Sequence, residues 1–210
     1  PNPFATPAPD KQARDPVADT VVRDDVISLP LNDLRPVLPR GVTLANEAVE
    51  RGLSDIARAD REFEVGKFSL SAQDAFVIIV EAFANGDRET LKNLLEPQVY
   101  TSFERAITDR DARGEKLSTE IHSVRKTDIM DVKFDGKQAF ITLRFIADET
   151  CVVRDKDHVI MSGDPDRITE MNDIWTFSRV IKNRDPIWLL HETRDGDVKE
   201  DHKTPVPDAG

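Results

Sequence analysis

The sequence predicts an α+β fold in which N-terminal helices pack on one face of a curved, four-stranded antiparallel sheet. Two observations support this class. Apolar residues recur at helical spacing through the first half of the expected folded region, and they alternate at strand spacing through the second half. Helices followed by a run of strands are typical of α+β domains. At 210 residues the chain is long enough to bury a sizeable core.

Proline content separates a leader from the expected folded unit. Eight of the thirteen prolines lie in residues 1–39, and proline removes backbone donors and blocks helix formation. We therefore expect residues 1–41 to form a flexible, proline-rich tether. An amphipathic helix is expected over 42–66, the main domain over 67–194, and a disordered tail over 195–210.

The stretch from Leu44 to Glu64 predicts the amphipathic helix, because its apolar residues fall mostly at helical spacing. Its apolar face can pack on the domain itself, or it can belong to a swinging arm that docks on a partner or a membrane. On the second interpretation, Leu53 and Ile56 are candidate partner-docking residues. Arg110 and Arg113, in a later segment of mixed charge, are candidates for the same role.

The segment SLSAQDAFVIIVEAFANGD predicts the most regular helix of the chain. Ser71 can cap its first turn, and Gly86 supplies the stop. A short helix is expected next. Pro97 then opens another helix, which ends near Gly114.

The second half predicts antiparallel strands. In IMDVKFDGKQAFITLRFIA, two alternating apolar runs flank Asp135-Gly136, which is the strongest hairpin signal in the sequence. A third strand is expected over 167–181 and a fourth over 187–193, joined by the turn KNRDP. Cys151 lies in a predicted strand and is interpreted as a small apolar filler rather than a reactive thiol.

Composition argues against several function classes. The formal net charge is -11, and no cluster of Lys and Arg suited to a phosphate backbone is present, so nucleic-acid binding is not expected. The four His residues lie far apart, without metal-ligand spacing. No nucleophile–base arrangement and no phosphate-binding Gly loop is visible. We therefore expect no metal, no cofactor and no catalytic residues.

Aromatic residues raise the question of a ligand pocket. In DIWTFSR, the residues Asp173, Trp175, Phe177 and Arg179 share one face of the predicted strand. The candidate pocket-lining residues are Phe83, Phe103, Phe145, Trp175 and Phe177. The candidate polar rim is Tyr100, Asp173 and Arg179. The same aromatic residues are equally well explained as core.

The blocks AFVIIVEAFANGDRETLKNLLEPQVYTSFERAITDRDARGE, DIWTFSR and DPIWLL resemble a known family. It is the C-terminal domain family of the mitochondrial inner-membrane presequence-translocase tether, the import-motor anchor. The similarity is greatest to its bacterial TimA-type adaptor members and covers roughly residues 45–194. The resemblance implies a nuclear transport factor two-like cone with a mostly apolar pocket.

The resemblance also implies a function. It indicates a non-enzymatic adaptor on the cytoplasmic face of a bacterial inner membrane, or on the matrix side in a mitochondrion. A protein partner, chaperone or translocation-related, or a lipid tail would be bound, and a segment upstream of residue 1 would reach the membrane. Folds of this type often pair through the open face of the sheet, so the resemblance is also compatible with a homodimer. The alternatives are a carrier of a small apolar ligand and a cone-fold isomerase or hydrolase that uses Tyr100 and Asp173.

Overall fold

The computed structural model describes residues 37–181, 187–196 and 206–210, which belong to one compact unit. Four helices and six strands lie within these ranges. In chain order they are β1 (Val42–Leu44), α1 (Glu47–Ala59), α2 (Val65–Asn85), α3 (Arg88–Leu94), α4 (Pro97–Ala112), β2 (Lys116–Phe134), β3 (Gln138–Arg154), β4 (Ile160–Gly163), β5 (Thr169–Val180) and β6 (Leu189–Asp195).

The strands form one sheet in the order β1-β2-β3-β5-β6, and β4 pairs with the far end of β3. β1 is parallel to β2, and the other pairings are antiparallel. The predicted α+β class, with helices packed on a sheet, is confirmed. The prediction of four strands is wrong, because β1 and β4 have only three and four residues and are too short to show an apolar alternation.

β2 begins at Lys116, although its apolar alternation is clear only from Met130 onward. Three register shifts against β3 interrupt the pairing, between Ile121 and Ser123, between Val124 and Lys126, and between Ile129 and Asp131. Such β-bulges bend a strand and move its side chains out of strict alternation. The bulges therefore explain why the sequence pattern identifies only the last part of this strand.

The hairpin at Asp135-Gly136 forms as predicted. The Asp135 carboxylate accepts hydrogen bonds from the backbone N–H groups of Lys137 at 2.8 Å and Gln138 at 2.7 Å. Gly136 has φ 87°, a left-handed conformation that glycine adopts without strain. This turn connects the two longest strands of the sheet, which provide much of the surface beneath the helices.

The predicted single helix over 42–66 is wrong. Residues 42–44 form β1, and Asn46 then caps α1 by accepting a hydrogen bond from the Val49 N–H at 3.1 Å. Leu53 and Ile56 are 1% and 0% exposed, because their face of α1 packs over β2. These two residues are core, and their assignment as partner-docking residues is wrong. α1 packs on its own domain.

α2 begins earlier than predicted. Its first residue is Val65, so Ser71 lies within the helix and does not cap it. The preceding Glu64 makes no capping hydrogen bond through its side chain. The helix ends at Gly86, which has φ 70°, as expected from the sequence. Pro97 occupies the first turn of α4, also as expected.

The core is an aromatic layer between α2 and the inner face of the sheet. The Phe76 ring stacks on Phe145 with centroids 4.6 Å apart, and it lies 4.8 Å from the Trp175 ring. Further along α2, Phe83 contacts Phe103 of α4 edge-on at 5.3 Å. All of these rings are buried.

The last five residues of the chain pack on the sheet. Thr193 and Ala209 exchange two backbone hydrogen bonds, of 2.6 and 3.0 Å, and Val206 and Ala209 are buried. The predicted disordered tail over 195–210 is therefore wrong for 206–210. The short bridge between Thr193 and Ala209 could not be predicted from the sequence. The segment 206–210 is only five residues long, lies at Pro205 and Pro207, and shows no strand periodicity. The predicted leader up to residue 36, the predicted turn at 182–186 and residues 197–205 of the predicted tail lie outside the described residues.

Replacing Leu53 by Ala tests the packing of α1. The variant should lower the free energy of unfolding by about 2–5 kcal/mol, because a fully buried leucine leaves a cavity when it is truncated. Arg51→Ala, a change on the exposed side of the same helix, should cost less than about 0.5 kcal/mol. Urea unfolding followed by tryptophan fluorescence measures both. Equal, small effects would mean that α1 does not pack on the sheet.

Candidate functional site

A cavity of about 390 Å³ opens at one end of the aromatic layer. It lies between the start of α2, the end of α3, the end of β5 and the residues just before β6. Most of its wall is apolar and consists of Phe63, Phe68, Ala72, Ala75, Leu94, Phe177, Ile187 and Trp188. The polar residues of its wall are Glu62, Glu64, Lys67, Ser71 and Arg179.

The cavity lies where α2 carries small side chains between the large rings of Phe68 and Phe76. Phe76 fills the middle of the interface, but Ala75, the residue before it, and Ala72, one turn closer to the helix start, form part of the cavity wall. Small side chains on a helix that is held away from the sheet by larger ones leave space between the two layers. Phe177, on β5, faces that space.

Three rings form one wall of the cavity. Phe68 lies 4.7 Å from Trp188, and Phe63 lies 6.0 Å from each of these two rings. Phe63 comes from the α1–α2 connection, Phe68 from α2, and Trp188 immediately precedes β6. The wall therefore joins three separate parts of the chain, which sequence spacing alone does not bring together.

Arg179 is the buried charge of this site. Its guanidinium lies 2.9 Å from Asp60, and the two side chains are 9% and 12% exposed. Asp60 ends α1, so the ion pair fixes the end of α1 to β5. Removing one partner of a buried pair leaves an uncompensated charge and costs roughly 3–5 kcal/mol. Arg179 thus contributes to the wall while it holds the fold together.

The other ion pair at the cavity is exposed. Lys67 and Glu64 approach to 2.6 Å, one turn apart at the start of α2. Exposed pairs of this kind contribute only about 0.3–0.5 kcal/mol. The lining as a whole is an apolar surface with a few charges at its edge, which suits binding of an apolar group rather than chemistry on a polar one.

Of the predicted pocket residues, the structure places only Phe177 in the wall of the cavity. The other four are buried core, where each ring packs on another ring: Phe83, Phe103, Phe145 and Trp175. Strand parity places Trp175 and Phe177 on one face, as the sequence predicts. Parity does not reveal where the overlying helix leaves a gap.

The predicted polar rim does not assemble. Arg179 lines the cavity, but Asp173 and Tyr100 do not. Asp173 is 1% exposed, and its carboxylate accepts a hydrogen bond from the Trp175 indole N–H at 3.0 Å. The Tyr100 hydroxyl lies 3.4 Å from Glu104 on its own helix. The isomerase hypothesis needs Tyr100 and Asp173 in one pocket, and this cavity contains neither.

Arg110 has a structural role. It is buried, and it donates hydrogen bonds to the Phe83 carbonyl at 2.9 Å and the Ala84 carbonyl at 3.0 Å. These carbonyls belong to the last turn of α2, where a cation is favoured by the helix dipole. Its assignment as a docking residue is wrong, because a buried cap cannot contact a partner. Arg113 is exposed and pairs with Glu115 at 2.9 Å, so its docking role stays a prediction.

A second polar feature lies away from the cavity. Glu149 on β3 is 5% exposed, and burial raises the pKa of its carboxyl to about 7. Burial also raises the pKa of Asp173 well above its usual range, against the opposing effect of the Trp175 hydrogen bond. The neighbouring carboxyls Asp195, Glu149 and Asp208 raise it further. The sequence gives no sign of this cluster, because its members come from three strands and the C-terminus.

Within 37–181, 187–196 and 206–210, no three His, Cys, Asp or Glu side chains are grouped so that they could hold a metal ion. In the same ranges, no helix has the length and apolar character needed to cross a membrane.

The amino-acid sequence matches one protein family over most of the folded unit. Residues 49–195 match the Tim44-like domain. The chain belongs to the Tim44-like domain family. The matched region begins in α1 and ends at the last residue of β6, so it contains the aromatic layer and the cavity.

Tim44-like relatives in other organisms are distant in sequence. The human mitochondrial import inner membrane translocase subunit TIM44 is 24% identical over 128 residues, which are 60% of this chain and 28% of the human protein. Subunit TIM44-1 of Arabidopsis thaliana is 24% identical over 147 residues, which are 66% of this chain and 30% of the plant protein. The chain thus spans about three-tenths of the length of these relatives.

Among solved structures, the intermembrane space region of the chloroplast protein ARC6 is similar, with a TM-score of 0.45 and 14% identity. The similarity covers 61% of this chain and 94% of that one.

Replacing Glu149 by Gln tests the buried carboxyl. A carboxyl with a raised pKa binds its proton more tightly in the folded state, so it makes the protein less stable as the pH rises from 4.5 to about 7. The loss attributable to this residue is about 3 kcal/mol. Glu149→Gln should remove that part of the pH dependence, measured by urea unfolding at about pH 5 and about pH 8.

Glu89→Gln, at an exposed position on α3, provides the control and should leave the pH dependence unchanged. If the Glu149 variant lost as much stability between the two pH values as the native chain, the buried carboxyl would not be the source of the effect.

Proposed function

We propose that this protein is a non-enzymatic adaptor associated with a protein-translocation complex at an inner membrane, where it binds a protein partner. The observation that carries the proposal is the Tim44-like match over residues 49–195. The named relatives are subunits of the mitochondrial import inner membrane translocase. On this proposal the domain works on the matrix side in a mitochondrion, or on the cytoplasmic face in a bacterium of the TimA type.

The architecture supports a binding role. Helices on one face of a strongly bulged sheet are compatible with the nuclear transport factor two-like cone that the family resemblance implies. In this chain the centre of the inner face is filled by Phe76, Phe145 and Trp175. Space for another molecule is left at the end lined by Phe177 and Trp188, where the wall is mostly apolar.

The cavity supplies a contact surface for a partner. The half-exposed Ile187 and the partly buried Trp188 line it together with Phe63 and Phe68. An apolar side chain of a partner protein that enters such a cavity loses its contact with water. At protein interfaces, a few side chains buried in pockets in this way, often aromatic, contribute most of the binding energy. A chaperone or a translocation component with an apolar anchor residue fits this surface.

A cavity-filling variant tests the adaptor proposal. In Ala75→Phe, the new ring should occupy space next to Phe177, so a partner captured from cell lysate by the native chain should be reduced at least tenfold. Ala112→Phe adds the same ring at an exposed position of α4 and should leave capture unchanged. Quantitative mass spectrometry of the bound proteins gives the readout.

Two outcomes count against the adaptor proposal. Recovery of no protein above the level on blank resin would contradict it. Equal capture by the native chain and Ala75→Phe would show that the cavity is not the contact surface.

We propose a second candidate function, the binding of a small apolar ligand such as a lipid tail in the same cavity. The specific observation in its favour is a volume of about 390 Å³ within a mostly apolar wall, which falls in the size range of small-molecule sites. An acyl chain would lie between Ala72 and Ala75 on one side and Phe177 on the other.

Trp188 makes ligand entry measurable. A brominated fatty acid should quench the fluorescence of Trp188, which lines the cavity, far more than that of Trp175, which is buried in the core. Trp188→Phe isolates the Trp175 signal, and Ala75→Phe should weaken binding at least tenfold. Quenching that is equal in native chain and Ala75→Phe, or no quenching at all, rules out the ligand proposal but leaves the protein-partner proposal standing.

A further inference from the structure

β6 is the last strand in the sheet order, and its edge is covered by other parts of the chain. Leu95 forms a parallel bridge to Leu190 near the start of the strand. Near the end of β6, residues Val206–Gly210, here called the C-terminal segment, lie alongside it. An uncovered strand edge invites pairing with another chain, so the cover determines whether this edge is available.

At least four hydrogen bonds between described residues hold the C-terminal segment. Two are the backbone bonds between Thr193 and Ala209. The Thr193 hydroxyl donates to the Pro207 carbonyl at 2.7 Å, and the Asp195 N–H donates to the Asp208 carboxylate at 3.0 Å. Two buried side chains, Val206 and Ala209, add apolar contact. A segment attached along one strand edge can open while the rest of the domain stays folded.

The C-terminal segment brings the exposed carboxylate of Asp208 near the buried carboxyl of Asp173 and the partly buried Asp195. Asp173 and Asp195 are direct partners across β5 and β6. Glu149 lies on the same face of β3 as Phe145, the residue opposite Asp173. Asp208 completes this carboxyl cluster, defined as Glu149, Asp173, Asp195 and Asp208, and each of the other three acts electrostatically on Asp173.

Two oxygens of the cluster are buried without a hydrogen-bond partner. They are Oδ1 of Asp173 and Oε2 of Glu149. An ionised carboxylate in such a place is strongly disfavoured, whereas a protonated one loses far less by leaving water. The protonated form of both residues is therefore the one that suits the closed structure.

The residue of β2 that pairs with Glu149 is Ile121, so β2 places no charged side chain directly beside Glu149. The next titratable group along β3 is the half-buried thiol of Cys151. Asp148 and Glu170 pair with Arg125, and they lie on the opposite face of the sheet because they alternate with Glu149 and Met171.

We propose that the C-terminal segment is a proton-dependent cover of the β6 edge, bound while Glu149 and Asp173 are protonated and released as they ionise. Release removes the negative charge of Asp208 from the surroundings of Asp173. The uncovered Thr193–Asp195 edge then presents backbone donors and acceptors to an extended peptide. This device does not depend on the proposed function, since it involves neither the cavity nor its wall.

Methyl NMR of the full chain tests the proposal. The Val206 and Ala209 methyl groups should show shifts typical of buried groups at about pH 5.5 and shifts typical of an unstructured peptide at about pH 8.5. The ratio of bound to released segment should fall at least tenfold between these conditions. In Glu149→Gln/Asp173→Asn, where neither side chain ionises, the ratio should change less than threefold.

A matched control uses the opposite face of the same two strands. Asp148→Asn/Glu170→Gln removes the same number of carboxylates and should titrate like the native chain. The proposal is overturned if the native methyl shifts do not change with pH, or if the Glu149/Asp173 double variant releases the segment like the native chain. Should the double variant not fold, Glu149→Gln alone must still reduce the native pH response at least threefold, or the proposal fails.

Discussion

The contact of Phe76 with Phe145 and Trp175 determines how this domain is assembled. It lies at the middle of α2 and joins that helix to β3 and β5, the two strands next to each other at the centre of the sheet. Rings of this size each bury a large apolar area, so they dominate the energy of the interface. The long axis of α2 and its distance from the sheet follow from this contact.

The remaining features of the inner face follow from the position of α2. Towards its end, Phe83 reaches Phe103, and Arg110 of α4 caps the last carbonyls of α2. Towards its start, Ala72 and Ala75 are too small to fill the same separation, and the cavity opens. One helix therefore explains both the packed end of the domain and the open one. The ion pair of Asp60 with Arg179 closes the side of the cavity next to α1.

Periodicity in the sequence predicts the elements whose side chains follow one regular pattern. The end of α2 at Gly86, the start of α4 at Pro97 and the hairpin at Asp135-Gly136 depend on local backbone preferences, and they form where the sequence places them. The beginning of β2 is not predictable in this way, because its bulges break the alternation. β1 owes its position to parallel pairing with β2, which is a tertiary contact.

The candidate site was only partly predictable. The sequence identifies the aromatic residues but not which of them pack together, because Phe145 and Phe177 have the same type of neighbours along β3 and β5. The difference arises from the helix above them, which carries Phe76 at one place and Ala72 at the other. The buried carboxyls Glu149 and Asp173 escape prediction for a related reason, since burial is decided by distant strands.

A crystal structure determined under xenon pressure tests the central claim, that the aromatic layer is solid while the end near Phe177 and Trp188 is hollow. Xenon binds to apolar cavities and does not enter well-packed cores. Xenon sites confined to the space between Ala72, Ala75, Phe177 and Trp188 are the expected result. Xenon bound between Phe76, Phe145 and Trp175, or a structure in which side chains fill the end near Trp188, would contradict the account.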